Sequence, residues 1–215
     1  MPVKLSKTSK MNAKSWSLQA GETCAGSYNS DGSLVDACSG CYAQTGAYNW
    51  PATIASRAFN KEDWKRPDWE DDMVHALRKE THFRWFDSGD LYSTTLAEKI
   101  YSIMQRTPHV KHWLPTRMAK FSKYAGILDM MQSLPNVMVR FSSDSVIGEF
   151  TPGLHGSTIF PMGTEAPQGT VTCEAYTRDG KCGDCYACYS KDVPVIAYPT
   201  HGHKMKRVIM LKQAA

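Results

Sequence analysis

The sequence lacks any apolar run approaching the roughly 20 residues that a membrane-spanning helix needs, so no membrane association is expected. It lacks a glycine-rich motif for cradling phosphate, and it shows no Ser–His–Asp constellation. Neither a nucleotide-binding loop nor a nucleophilic hydrolase site therefore declares itself. There is no internal repeat, no low-complexity block and no break in composition that would mark a second domain. Charge of one sign is barely in excess, the formal net charge being +4. The basic opening stretch MPVKLSKTSKMNAKSW has neither an apolar core nor a small-residue cleavage site, so it is not expected to be a secretory signal. A cytoplasmic, reducing location is the expectation, and disulfides are rare there. Seven cysteines in 215 residues is also an odd number for a fully paired disulfide framework.

The cysteines that are present fall into two groups. Cys24, Cys38 and Cys41 form one, Cys173, Cys182, Cys185 and Cys188 the other, and none lies elsewhere. The second group is spaced C-x8-C-x2-C-x2-C, which puts three thiols on one tightly turned loop where they can converge on a soft metal. Iron–sulfur clusters are held by such thiolates, and zinc takes four sulfurs in a similar way. The close triplet favours a [4Fe-4S] cluster, because zinc more often uses two separated C-x2-C pairs. The first group offers three thiolates, one short of a closed site. It reads as a second cluster with an open iron, as a contributor to one shared cluster, or as small buried hydrophobes. Spacing leaves the count open.

Residues 1–13 are polar and rich in lysine and read as a flexible basic arm, leaving 14–215 as one α/β iron–sulfur domain. A strand is expected over 14–18, followed by a long loop to Gly40 that the first cysteine group brackets. Helical stretches broken at Gly46 and Pro51 cover 42–59, and a helix with Asp68 at its N-cap covers 68–81. Then a rhythm sets in. Strands at 82–86, 109–115, 136–142, 158–162 and 193–198 alternate with helices at 94–106 and 119–132. Alternation implies right-handed crossovers and a mainly parallel sheet of about six strands, either an open twisted sheet or an incomplete barrel.

In both architectures the chemistry gathers at the C-terminal ends of the strands. That rim carries the first cysteine group, then Asp87-Ser88-Gly89-Asp90, then Arg117, and then the second cysteine group. Asp87 and Asp90 pair to bind a cation or to act as acid and base, or else form an Asx turn capping the next helix. Arg117 and Arg140 suit an anionic ligand or a negatively charged cluster, whereas Arg84 reads as ordinary surface pairing. The basic ends, with lysines 4, 7, 10 and 14 and the stretch 201–207, suit nucleic acid or plain solvent.

Several motifs occur together: Thr23-Cys24 after a short strand, Cys38-x2-Cys41-Tyr42-Ala43 with Gly46 and Tyr48 behind it, Arg84-Trp85-Phe86-Asp87-Ser88-Gly89-Asp90, and Lys181-Cys182-Gly183-Asp184-Cys185-x2-Cys188. From about Trp16 to His201 this set resembles a phage-encoded family known by its gene-product number, eighty-eight. The resemblance implies iron–sulfur cluster binding, in the cytoplasm of an infected host cell. A more distant likeness is to radical SAM enzymes, six-stranded partial barrels with three cluster cysteines after the first strand. It implies a TIM-barrel-like partial (β/α) barrel and S-adenosylmethionine (SAM) bound by Ser88 and Gly89. Those enzymes space the first two cysteines by three residues, whereas thirteen separate Cys24 from Cys38 here. Three functions follow as expectations. One is redox or radical-SAM-like catalysis on a small-molecule substrate in a pocket lined by Asp87, Asp90, Arg117 and Arg140. The second is a non-catalytic electron-transfer or sensor protein with a redox partner, and the third a zinc-stapled nucleic-acid-binding module.

Overall fold

The chain is described here by a computed structural model covering residues 2–213, so residue 1 of the expected 1–13 arm and residues 214 and 215 of the expected 14–215 domain lie outside the described residues. Eight strands form one sheet: β1 (Ser6–Lys7), β2 (Lys14–Trp16), β3 (His82–Trp85), β4 (Lys111–Thr116), β5 (Val137–Ser142), β6 (Gly156–Phe160), β7 (Val171–Thr172) and β8 (Val195–Pro199). Their spatial order is β1-β2-β3-β4-β5-β6-β8-β7. Only β1 runs antiparallel to its neighbour. β1 and β7 are free edges, so among the described residues the sheet is open and the expected barrel does not close. The expected mainly parallel α/β architecture stands in this coarser form. The two extra strands are two residues long each, too short to leave a periodicity.

Among the described residues six α-helices accompany the sheet: α1 (Asp36–Ser39), α2 (Pro51–Asp63), α3 (Trp69–Leu77), α4 (Thr94–Arg106), α5 (Ala125–Ser133) and α6 (His203–Gln213). Pro51 starts α2 rather than breaking a helix, because the first helical residue needs no N–H partner. In α4, Leu96, Ala97, Ile100, Ile103 and Met104 recur at helical spacing and are all buried. Its N-cap is Ser93, whose hydroxyl accepts from Leu96 N at 3.4 Å. Pro108 blocks continuation beyond Arg106. No described helix is long and apolar enough to cross a membrane.

The core lies between one face of the sheet and α3, α4 and α5. Strand alternation in His82-Phe83-Arg84-Trp85 sends Phe83 and Trp85 into it and leaves His82 and Arg84 on the other face. Trp16 is fully buried there, edge-on to Trp69, Trp85 and Phe86 at 5.3, 6.2 and 5.8 Å. Each such ring pair adds about 0.5–1.5 kcal/mol beyond area burial.

From β2 to β6 each strand lies beside its predecessor. Right-handed crossovers in one direction keep their helices on one face. At β7 the order reverses, since the chain steps back inward to reach β8. A right-handed crossover running backwards passes over the opposite face, so segment 173–194 covers the side that the helices leave open. Arg140 of β5 holds it there through the carbonyls of Ala187, Cys188, Ser190 and Pro194.

The opening segment, expected as a flexible arm, is held in place instead. Ser6 pairs with Ser15 and Lys7 with Lys14. Cys182 N donates to Lys10 O at 2.7 Å, and Lys181 Nζ to Ser9 O at 2.7 Å. The basic end is also structured: α6 packs Met205 and Ile209 against Ala37 and Val146.

Candidate functional site

The first cysteine group sits where β2 ends. Its loop is pinned by Val35 N donating to Ser27 O and Ala37 N donating to Asp144 O, both at 2.9 Å. Gly26 lies so close to the end of β4 that a Cβ would fall 2.7 Å from Arg117 Cβ. Cys38 is buried and its Sγ lies 3.2 Å from Ser27 Oγ. Burial pushes the Cys24 thiol up to about 11, and Asp90, Cys38 and Cys41 push the same way against a backbone hydrogen bond at Gly21. Burial raises Cys41 too, with Cys38 adding to it while the Ala43 and Gln44 backbone and Arg117 oppose. The three thiols thus lie within electrostatic reach of one another.

Asp87 and Asp90 take separate partners. Asp87 accepts from Arg84 Nη1 at 2.8 Å and Tyr48 OH at 2.6 Å. Asp90 is buried and accepts from Leu91 N and Thr116 Oγ1, each at 2.7 Å, and from Arg117 N at 2.9 Å. Burial raises its pKa while those donors hold it down. It ties the exit of β3 to the exit of β4, and does not cap α4. Ser88 Oγ donates to Leu18 O at 2.7 Å. Gly89 has φ +77°, and a Cβ there would lie 2.7 Å from both Leu18 Cβ and Thr23 Oγ1, so glycine is required. Ser88 and Gly89 are thereby taken up in packing β3 against the exit of β2.

The two rim arginines part company. Arg117 stays beside the first group, with Nε 3.2 Å from Asp144 Oδ1 and Nη2 donating to Ser143 O at 2.9 Å. Arg140 is fully buried on the open face, its three nitrogens all donating to carbonyls. Of the four residues expected to line one pocket, Asp90 and Arg117 meet at the exits of β3 and β4, Asp87 pairs with Arg84 and Tyr48, and Arg140 is engaged with the carbonyls of the covering segment.

The second cysteine group lies over the open face. Cys173 N donates to Ala197 O at 2.8 Å, extending the β7–β8 pairing, and Cys185 N donates to Cys182 O at 3.1 Å. Cys188 Sγ is 3.4 Å from Tyr198 OH. Burial raises the pKa of Cys182 and of Cys188, and Cys173 adds to both. Lys10 and Arg84 oppose the first shift; Tyr198, Arg140 and Arg84 oppose the second. Rings wall the segment in: His82 stacks on Tyr186 at 4.0 Å, and Tyr189 meets Trp113 edge-on at 5.8 Å.

All seven cysteines are free thiols. Among the described residues no three His, Cys, Asp or Glu side chains converge to hold a metal ion. The fold thus gathers each group without closing it on one point.

Arg84, read from sequence as a surface pair, proves central. Its Nη2 donates to the Tyr42 hydroxyl at 3.2 Å, next to Cys41, and its guanidinium lies 4.6 Å from the Trp113 ring. It also reaches Cys182 and Cys188 electrostatically. The signal was available in its strand: it alternates with two aromatics that belong to the core. Tyr48 was marked by its place behind the first cysteine group, whereas Tyr198 and Trp113 carried no comparable signal.

A family model described as Gene product 88 matches residues 2–191, a span that includes all seven cysteines and stops before β8. No curated protein matches the chain, and no solved structure does.

Proposed function

Since the chain belongs to the gene product 88 family, we propose that it is an iron–sulfur protein whose cluster is held by Cys173, Cys182, Cys185 and Cys188. The observation that carries this reading is the placement of four free thiols on one segment over the open face. The donor set fits the group: it is all sulfur, which selects iron–sulfur or zinc over hard cations. Cys173, Cys182 and Cys188 are half-buried and Cys185 is exposed; because cluster ligands are thiolates, binding releases protons and is favoured by rising pH. A bound cluster supplies one-electron chemistry. The chain's own residues hold and bias it: Arg84 offsets negative charge, Tyr198 hydrogen-bonds Cys188, and Arg140 fixes the loop backbone.

A finer reading treats the open sheet as the wall of a half-barrel with radical-SAM-like redox chemistry at the first group. What favours it is a three-thiol set at the end of β2, within electrostatic reach of Asp90. Three thiolates leave one iron free for a ligand, and Arg117 stands beside Cys41.

The test is anaerobic purification followed by iron, acid-labile sulfide and zinc analysis. About four iron and four sulfide per chain, lost in Cys→Ser variants of the second group and retained in those of the first, is the expected result. Twice that content means that both groups are loaded, and titration with SAM then tests the finer reading. Stoichiometric zinc without sulfide overturns the iron–sulfur assignment in favour of a zinc-stapled module.

A further inference from the structure

On the open face, Ser15 of β2, Arg84 of β3 and Trp113 of β4 are cross-strand partners in register. Each carries a buried polar atom with no hydrogen-bond partner: Ser15 Oγ, Arg84 Nε and Trp113 Nε1. Ser15 is 0% and Trp113 5% exposed, so bulk water does not serve them. A buried donor without an acceptor costs about 1–3 kcal/mol, and three aligned on adjacent strands call for a common acceptor. The Trp16 and Trp69 indoles also lack acceptors. Those two, however, lie edge-on to each other inside the apolar core, where no ligand has room.

The second cysteine segment lies over the Arg84 and Trp113 end of this row. Tyr189 sits against Trp113, and Arg84 is within electrostatic reach of both Cys182 and Cys188. We propose that the row is the donor floor of an anionic, thiolate-held metal centre, its O–H and two N–H groups bonding to the sulfur of that centre. The inference rests on the four-cysteine reading above. It places the centre over β2 to β4 rather than at the strand ends, and it makes Ser15, Arg84 and Trp113 positioning residues. Hydrogen bonds to sulfur stabilise the more negative, reduced state, so the row raises the reduction potential.

The test is a redox titration, followed by electron paramagnetic resonance, of the full chain reconstituted anaerobically with iron and sulfide. Trp113→Phe and Ser15→Ala each remove one donor and no recorded hydrogen bond. Both are expected to retain wild-type iron and sulfide content and to titrate at a lower potential. Arg84→Gln should fall furthest, but it also breaks the Asp87 and Tyr42 contacts, so the decision rests on the other two. Trp69→Phe, which removes an unpartnered indole N–H on the helix side, should leave the potential where it is. Unchanged potentials in Trp113→Phe and Ser15→Ala would overturn the donor floor while leaving the cluster assignment intact. An equal shift in Trp69→Phe would also overturn it, by showing a general packing effect. A wild-type chain that takes up no iron, or only zinc, overturns both readings together.

Discussion

His112 stands in the middle of β4 with no solvent exposure. Trp85 Nε1 donates to its Nδ1 at 3.3 Å, so Nδ1 is the bare nitrogen. Nε2 then carries the proton and donates to Thr107 Oγ1 at 2.9 Å, while that hydroxyl donates onward to Ile103 O at 2.7 Å. This neutral tautomer is complete, and burial lowers the imidazole pKa from 6.5 to about 3. The unfolded chain binds a proton in that interval and the native chain does not. The stabilising contribution is therefore fully present above about pH 6.5 and is lost as pH falls toward 3, at about 1.4 kcal/mol per pH unit at most. Urea unfolding between pH 7 and 5 should show this slope, and His112→Gln should flatten it. An unchanged slope in the variant would assign the acid sensitivity to other groups. Arginine shows the same dependence on surroundings: Arg140 is spent on carbonyls, whereas Arg84 keeps one buried N–H without an acceptor.

At the scale of elements, the first cysteine loop is positioned by close approach rather than by regular pairing. Gly26 permits contact with the backbone of Arg117, where a Cβ would lie 2.8 Å from the carbonyl oxygen. Lys120 Nζ reinforces the contact by donating to Gly26 O at 2.7 Å. Gly26→Ala forces the loop and the end of β4 apart. The expected cost is about 1–3 kcal/mol, typical of overpacking, read as a lower melting temperature with faster proteolysis inside 24–41. A variant that melts and resists protease like wild type would mean that the loop relaxes freely. α6 supports the same loop from the other side, because Met205 and Ile209 give Ala37 its apolar neighbours.

For the whole molecule, the two faces of the sheet are stabilised differently. The helix side buries a continuous apolar core. The open side is covered by a segment with little regular structure, held by Arg140, by Lys191 Nζ on Gln132 O and Leu134 O at 2.7 Å, and by the opening strap at Lys10. A centre bound by the four thiols of that segment would add its binding free energy to folding. Metal-loaded chain should therefore melt higher than chelator-stripped chain, with roughly 2–4 °C for each kcal/mol at this size. Cys182→Ser should abolish the difference. Coincident melting of loaded and stripped protein would show that the cover supports itself.

The bounds 94–106 of α4 were legible in full, because a capping serine, five apolar residues at helical spacing and Pro108 all act within one segment. Strands β3 to β6 were legible to within about two residues for the same reason. The sorting of the cysteines into two groups was likewise a property of the sequence alone. Local patterns report which face of an element is apolar, and nothing more distant. The edge strands β1 and β7, the strap at Lys10 and the packing of α6 depend on pairing with remote segments, so only the tertiary structure decided them. It also decided that the sheet stays open, and that the strand order reverses at β7. That reversal lays the segment between Cys173 and Cys188 across the open face, with Cys173 at the end of β7 and Cys188 beside Tyr198 of β8, because a right-handed crossover running backwards takes the side opposite the helices.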